Sequence, residues 1–224
     1  KRNNSQDEQS IRGKLSAEIS ANWQLNFSLS HVDIDNGYDA FTLDNSRTTL
    51  SDEPGQDQQE SLALAIDSSW QLDNFDLKLI VGLADSDMEY GYDEDWTFAG
   101  IHPDGYMSRD NYIRDRKTQS LEFRFLSNDS SRLFADSTDW LFGVYTLKSS
   151  ESLKREYTFL ASDFRSDYDF DTAAVFFQLD SSLSEKLTLE TGLRVERRDT
   201  IYRDSELLGF SPTETLWGGR VAAK

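Results

Sequence analysis

From Leu187 to Glu196 the chain alternates without a break. Leu187, Leu189, Thr191, Leu193 and Val195 occupy one phase, and Thr188, Glu190, Gly192, Arg194 and Glu196 the other. A period of two describes a strand with one apolar and one wet face. The run outlasts the roughly five or six residues of an ordinary strand. The pattern recurs at Leu15, Ala17, Ile19; at Trp23, Leu25, Phe27, Leu29; and at Leu62, Leu64, Ile66. It appears again at Phe75, Leu77, Leu79, Val81, Leu83; at Leu121, Phe123, Phe125; and at Ala173, Val175, Phe177, Leu179. "DWLFGVYTLK" and "TLWGGRVAAK" add two less regular strands. No segment has a helical period, and "SSESLKREYTFLASDF" reads as loop with strand ends. The pattern predicts an all-β fold: an antiparallel up-and-down meander of about nine long strands.

The connections alternate in kind. Those near 20–23, 71–74 and 181–186 are short, with 128–138 longer, whereas 36–57, 86–117, 153–170 and 204–214 are long. Tight turns therefore gather at one end of the sheet and large loops at the other, the asymmetry of outer-membrane barrels. Trp23, Trp70, Phe75 and Trp140 sit beside the short turns, where an interfacial girdle of aromatics belongs. The second face is too polar to form another core: Asn26, Ser28 and Ser30, Glu122 and Arg124, Glu190, Arg194 and Glu196. One curved sheet with lipid outside and water or polar filling inside fits that pattern. Leu25, Phe27, Leu77, Leu79, Phe123, Phe177, Leu189 and Leu193 are expected on the lipid side. Glu122, Arg124, Gln178, Glu190, Arg194 and Glu196 are expected to face the interior.

Composition narrows the function classes. A formal charge of −18 over 224 residues argues against a nucleic-acid partner, which needs a basic footprint. No cysteine is present, so disulfides and thiolate metal sites are excluded. With 12% aromatic residues the chain is not of disordered composition. No apolar run approaches the roughly 20 residues of a membrane helix. That says nothing against a barrel, whose strands average out to ordinary hydropathy. The chain starts without Met and stops inside a strand-like run, which reads as an internal fragment of a longer protein.

The stretch "TAAVFFQLDSSLSEKLTLETGLRVERRD", 172–199, resembles a barrel hairpin of the TonB-dependent receptors, the outer-membrane active transporters of Gram-negative bacteria. Ala174, Phe176, Gln178, Lys186, Leu187, Leu189, Gly192, Leu193, Arg194 and Glu196 carry the resemblance. "TQSLEFRFLS" and "DWLFGVYTLK" resemble two preceding strands of that family, in the family's order. "WGGRVAAK" resembles a later one, with Gly219 where proline is common. The resemblance implies that residues 1–224 are part of the barrel domain of such a receptor. The family's barrels have about 22 strands around a plug. It further implies contact with outer-membrane lipid and lipopolysaccharide, with a plug domain and through it TonB, and with a ferric siderophore or similar nutrient.

The richest candidate for ligand contact is 84–117. Tyr90, Tyr92, Trp96, Tyr106 and Tyr112 are interleaved there with Arg109 and Arg114. Rigid rings with arginine give large contact area at low entropic cost. "YDEDW" and "DSD" cluster carboxylates, which hard cations favour, but without EF-hand spacing. Two histidines are too few for a His-based metal site. No nucleophile or phosphate-loop motif is present, so neither an enzyme nor a resident cofactor is expected. A passive porin and a soluble antiparallel ligand-binding protein are the competing readings.

Overall fold

The computed structural model describes residues 5–38, 41–53 and 55–224. Nine long strands follow one another: β1 Glu8–Ser20, β2 Trp23–Tyr38, β3 Gly55–Gln71, β4 Asp76–Asp93, β5 Arg109–Leu126, β6 Thr138–Tyr157, β7 Phe164–Ser184, β8 Leu187–Asp204 and β10 Thr213–Ala223. A two-residue β9, Gly209–Phe210, folds back on β8. The nine long strands lie in one sheet of order β1-β2-β3-β4-β5-β6-β7-β8-β10, and every neighbouring pair is antiparallel. The expected meander is thus present.

The strands are longer than the alternation indicated. β6 continues to Tyr157 and β7 starts at Phe164, so most of the stretch expected as a 153–170 loop is strand. β4 and β5 likewise reach Asp93 and start at Arg109, far into the expected 86–117 loop. These extensions lack the aliphatic stripe of the band: one face is charged or polar, and the other carries scattered aromatics such as Tyr90, Tyr92, Tyr168 and Phe170. In β6 the alternation is lost altogether, and the extensions are held by ladder pairing with both neighbours, as in Glu151 opposite Arg116 and Tyr168. The connection 127–137 at the turn end is longer than 158–163 at the loop end, so loop length alone does not mark the ends.

Register assigns the faces. Leu25, Leu79, Phe123, Val144, Val175 and Val195 stand in one row across the sheet. Leu77, Phe125, Phe142, Phe177 and Leu193 form the row beside it. On the other face Glu122, Tyr145, Ala174 and Glu196 share a row, as do Arg124, Gly143, Phe176 and Arg194. The two faces are those expected. The polar face is the more enclosed: along β7, Thr172 and Ala174 are buried while Ala173, Val175 and Phe177 are exposed. With no second layer, this difference is the crowding on the concave side of a curved sheet.

There is no conventional core. Among the described residues Ala174 is the one buried apolar side chain, whereas Phe177 is 40% and Leu193 54% exposed. The accessible surface is 14844 Å², against roughly 10,400 Å² for a globular monomer of this mass. An apolar band this open needs a cover that the chain itself does not supply. At its turn end Trp23 stacks on Trp70 at 6.0 Å and donates its indole N–H to Ser68 Oγ at 2.9 Å. Phe75, Phe125 and Phe142 continue the aromatic row, and the Trp140 indole donates to the Ser131 carbonyl at 2.8 Å.

On the concave wall Gly143 makes room for Phe176. A Cβ at 143 would lie 2.1 Å from the ring's Cζ. Arg194 covers the same ring at 5.7 Å and Tyr145 at 5.4 Å, with its guanidinium bonded to Glu196 at 2.7 Å. Gly143→Ala is expected to cost about 1–3 kcal/mol by overpacking. Unfolding of the parent protein in lipid vesicles measures this, and the Phe176→Ala background should remove most of the penalty.

Beyond the apolar band the convex face turns acidic. Asp33, Glu60, Asp87 and Asp115 stand side by side on β2 to β5. The hydrogen bond with Asp115 raises the pKa of Asp87 above the usual carboxylate range, with burial and the charges of Asp115, Asp85 and Glu60 adding to it. The folded state therefore holds this proton more tightly than the unfolded chain. The stabilisation is complete at pH values below the ordinary carboxylate pKa and is lost as pH rises through the raised one. Thermal melts of Asp115→Asn should lose less stability than wild type as pH rises above about 4. Parallel curves would remove the pair as the cause.

Candidate ligand-binding site

At the loop end of the concave face the strands deliver aromatic side chains in register. Tyr90 on β4 lies opposite Tyr112 on β5, Met88 opposite Arg114, and Tyr92 opposite Asp110. All these positions share one parity and so one face. Tyr38, at the end of β2, joins from the side, with its ring 4.9 Å from Tyr90. Tyr90 is 5.8 Å from Tyr92 and 6.5 Å from Tyr112.

Trp96 arrives by a different route. The β4–β5 loop begins with "DEDW", in which both aspartates turn inward. Asp93 Oδ1 accepts the backbone N–H of Asp95 at 3.2 Å and of Trp96 at 3.1 Å. That turn holds Trp96 at φ +60°, a left-handed conformation uncommon for a bulky residue. Asp95 accepts the Thr97 hydroxyl at 2.7 Å and the Ser108 N–H at 2.9 Å, pinning the far end of the loop. Burial pushes the Asp93 carboxyl up. Burial works against the Asp95 carboxylate too, but its bonds from Thr97 and Ser108 hold it below the usual range. The carboxylates of "YDEDW" thus serve the loop's own donors. The result is Trp96 stacked on Phe41 of the β2–β3 loop at 5.2 Å and 18°.

Together Tyr38, Phe41, Tyr90, Tyr92, Trp96, Tyr112 and Arg114 line an open cavity of about 510 Å³. Its floor is braced by Arg155 on β6. That guanidinium makes two bonds to the buried Asp110, at 2.8 and 2.6 Å, and lies over Tyr112 at 5.2 Å and Tyr157 at 4.7 Å. The Tyr112 hydroxyl also donates to Asp110 at 3.0 Å. The bond to Asp110 binds the Arg155 proton more firmly than usual. Burial raises the pKa of Tyr90, Tyr92 and Tyr112, reinforced by Tyr38 for Tyr90 and by Asp110 for the other two. The phenols therefore remain neutral donors.

Five of the seven expected contact residues meet here: Tyr90, Tyr92, Trp96, Tyr112 and Arg114. Tyr106 does not. It stacks on Phe159 at 5.6 Å and meets His102 edge-on, tying the loop to the 158–163 connection. Arg109 does not either, because its odd position places it on the convex face, 3.9 Å from Glu53. Tyr38, Phe41 and the bracing pair Asp110–Arg155 were not among the expected residues. Tyr38 and Arg155 come from other strands and Phe41 from another loop, and only the register brings them in.

No protein-family model and no curated protein sequence matches this chain. Solved structures do. The ferric yersiniabactin uptake receptor FyuA of Yersinia pestis superimposes with a TM-score of 0.66 and 16% identity, over 96% of this chain and 34% of that one. The alcaligin outer-membrane receptor FauA of Bordetella pertussis gives 0.64 and 13%, over 96% and 31%. The copper transporter OprC gives 0.64 and 15%, over 97% and 34%. The chain spans about one third of the length of each of these proteins. Ten antiparallel strands in one open, core-less sheet, superimposed on that third, have the fold of a stretch of the β-barrel wall of TonB-dependent receptors.

Proposed function

We propose that this chain is part of the barrel of an outer-membrane TonB-dependent receptor that captures and admits a scarce nutrient, a ferric siderophore or similar metal chelate. The observation that carries the reading is the combination of two faces. An apolar convex band stands uncovered by any protein element, and an aromatic cavity opens on the concave face at the loop end. Lipid covers the first, with lipopolysaccharide above it against the polar strand extensions. The second receives the ligand from outside the cell. The concave wall is the side turned to the receptor's own plug domain, and TonB acts through that plug. The chain's part is recognition and passage, with no bond made or broken.

The test is uptake of iron chelates by Gram-negative cells carrying the full-length gene under iron limitation. Trp96→Ala and Tyr112→Ala are each expected to weaken chelate binding by about 30-fold or more, the loss of a buried aromatic anchor. Receptor levels in the outer membrane should stay unchanged. Wild-type uptake in both variants, at equal receptor levels, would contradict the site.

A further inference from the structure

The charge inside the cavity selects among ligand chemistries. Among the described residues Arg114 is the one charged side chain on its lining. Arg114 lies over the Tyr112 ring at 5.3 Å and makes a long ion pair with the one-third-exposed Glu151 at 3.9 Å, without a hydrogen bond. Arg155, the other guanidinium at Tyr112, is committed to Asp110 through both of its bonds. Tyr90, Tyr92 and Tyr112 stay protonated, their pKa values raised by burial. On a chain of net charge −18 the cavity therefore offers six aromatic rings and one guanidinium held only by a long ion pair and a ring contact.

Resting on the uptake reading, we infer that the part of the ligand seated here is an aryl group carrying an anionic oxygen, a phenolate or aryl carboxylate, on a chelate of low net negative charge. A planar ring stacks against Trp96, Phe41 and the tyrosines with offset or edge geometry that an aliphatic arm lacks. The anionic oxygen takes the Arg114 fork, a charge-assisted bond in a partly desolvated site. A polycarboxylate is disfavoured. One guanidinium does not neutralise several charges, and Asp57 and Glu94 lie close enough to act on Tyr90 and Tyr92.

Two iron(III) chelates of equal charge isolate the aryl group. One is the monoanionic complex of EDTA. The other is the monoanionic complex of the analogue in which two carboxylate arms are replaced by 2-hydroxybenzyl arms. Calorimetric titration of the full-length receptor in detergent is expected to give at least ~10-fold tighter binding of the bis-phenolate chelate, the worth of one good ring or cation contact. Arg114→Gln and Tyr112→Leu should each erase that preference, while Tyr112→Phe retains most of it. Equal affinity for the two chelates, or a preference that survives Arg114→Gln and Tyr112→Leu, would overturn the aryl assignment and leave the uptake reading standing. No binding of the bis-phenolate chelate at millimolar concentration would also overturn the assignment. The uptake reading fails separately, if iron-limited cells gain no chelate uptake from the gene.

Discussion

Leu193→Arg is expected to cost the full-length barrel roughly 2–4 kcal/mol of unfolding free energy in lipid vesicles. Leu193 sits on the convex face between Phe177 and Gly219, half exposed and with no protein layer above it. A charge there enters hydrocarbon. The same substitution in a soluble protein core would also be costly, through an unpaired buried charge, so size supplies the discrimination. Leu193→Trp should be near neutral in lipid, where nothing opposes a larger ring. A close-packed core would lose about 1–3 kcal/mol on the same overpacking. Leu189 on the same face lies beside the 185–186 turn, so a charge there sits nearer the interface and should cost less.

Its neighbour Glu190 behaves differently. Arg124, a cation of the same face, is not its partner and bonds Glu122 at 2.6 Å. Glu190 has little exposure and pairs with Arg220 of β10 at 3.1 Å and with Lys224, the residue after that strand, at 2.9 Å. Glu190→Arg therefore carries a penalty of its own, from lost ion pairs and repulsion by Arg220 and Lys224, softened by solvent because both partners are largely exposed, although it points away from lipid. Glu190→Gln should be milder.

Arg155→Met carries the other large expected effect. Asp110 is 1% exposed and receives both guanidinium bonds. Removing the arginine leaves a buried carboxylate with the Tyr112 hydroxyl as its remaining side-chain donor. A fully buried pair broken this way costs about 3–5 kcal/mol. Arg155 is one-third exposed, which screens part of that, so about 2–3 kcal/mol is expected. The loss should be local to the rim. Hydrogen exchange is expected to rise over 109–115 and 153–157, with the apolar band unchanged. In the double variant Asp110→Asn/Arg155→Met most of the loss should return, because no charge is left unpaired. A full, undiminished loss in the double variant would show that Arg155 acts by packing on Tyr112 and Tyr157.

The architecture was legible where one face is apolar. Leu25, Leu79, Phe123 and Leu193 fixed their strands' parity, and with it the facing of Glu122, Arg194 and Glu196. It was illegible where both faces are polar. "SESLKREY" shows no alternation, yet it is the second half of β6, extended by pairing with β5 and β7. That gap hid Arg155. Parity also sorts part of the site: Tyr90, Tyr92, Tyr112 and Arg114 sit at even positions, and Arg109 at an odd one. Trp96 lies beyond its strand and returns only through the left-handed turn that Asp93 holds. Tyr38 and Phe41 come from a separate hairpin, a neighbourhood that no single stretch of sequence records.

The central claim is that lipid covers the odd phase of β8 and water the even one. Spin labels placed singly at 189 through 196 in the full-length protein in lipid bilayers test it, using collision with oxygen, which concentrates in lipid, and with a water-soluble nickel complex. Oxygen accessibility should peak at 189, 191, 193 and 195. Nickel accessibility should follow the opposite phase or, where the plug covers the wall, be low for both reagents at even positions. Odd positions shielded from oxygen, or open to the nickel complex, would mean that protein or water lies against this face and would contradict the barrel-wall account.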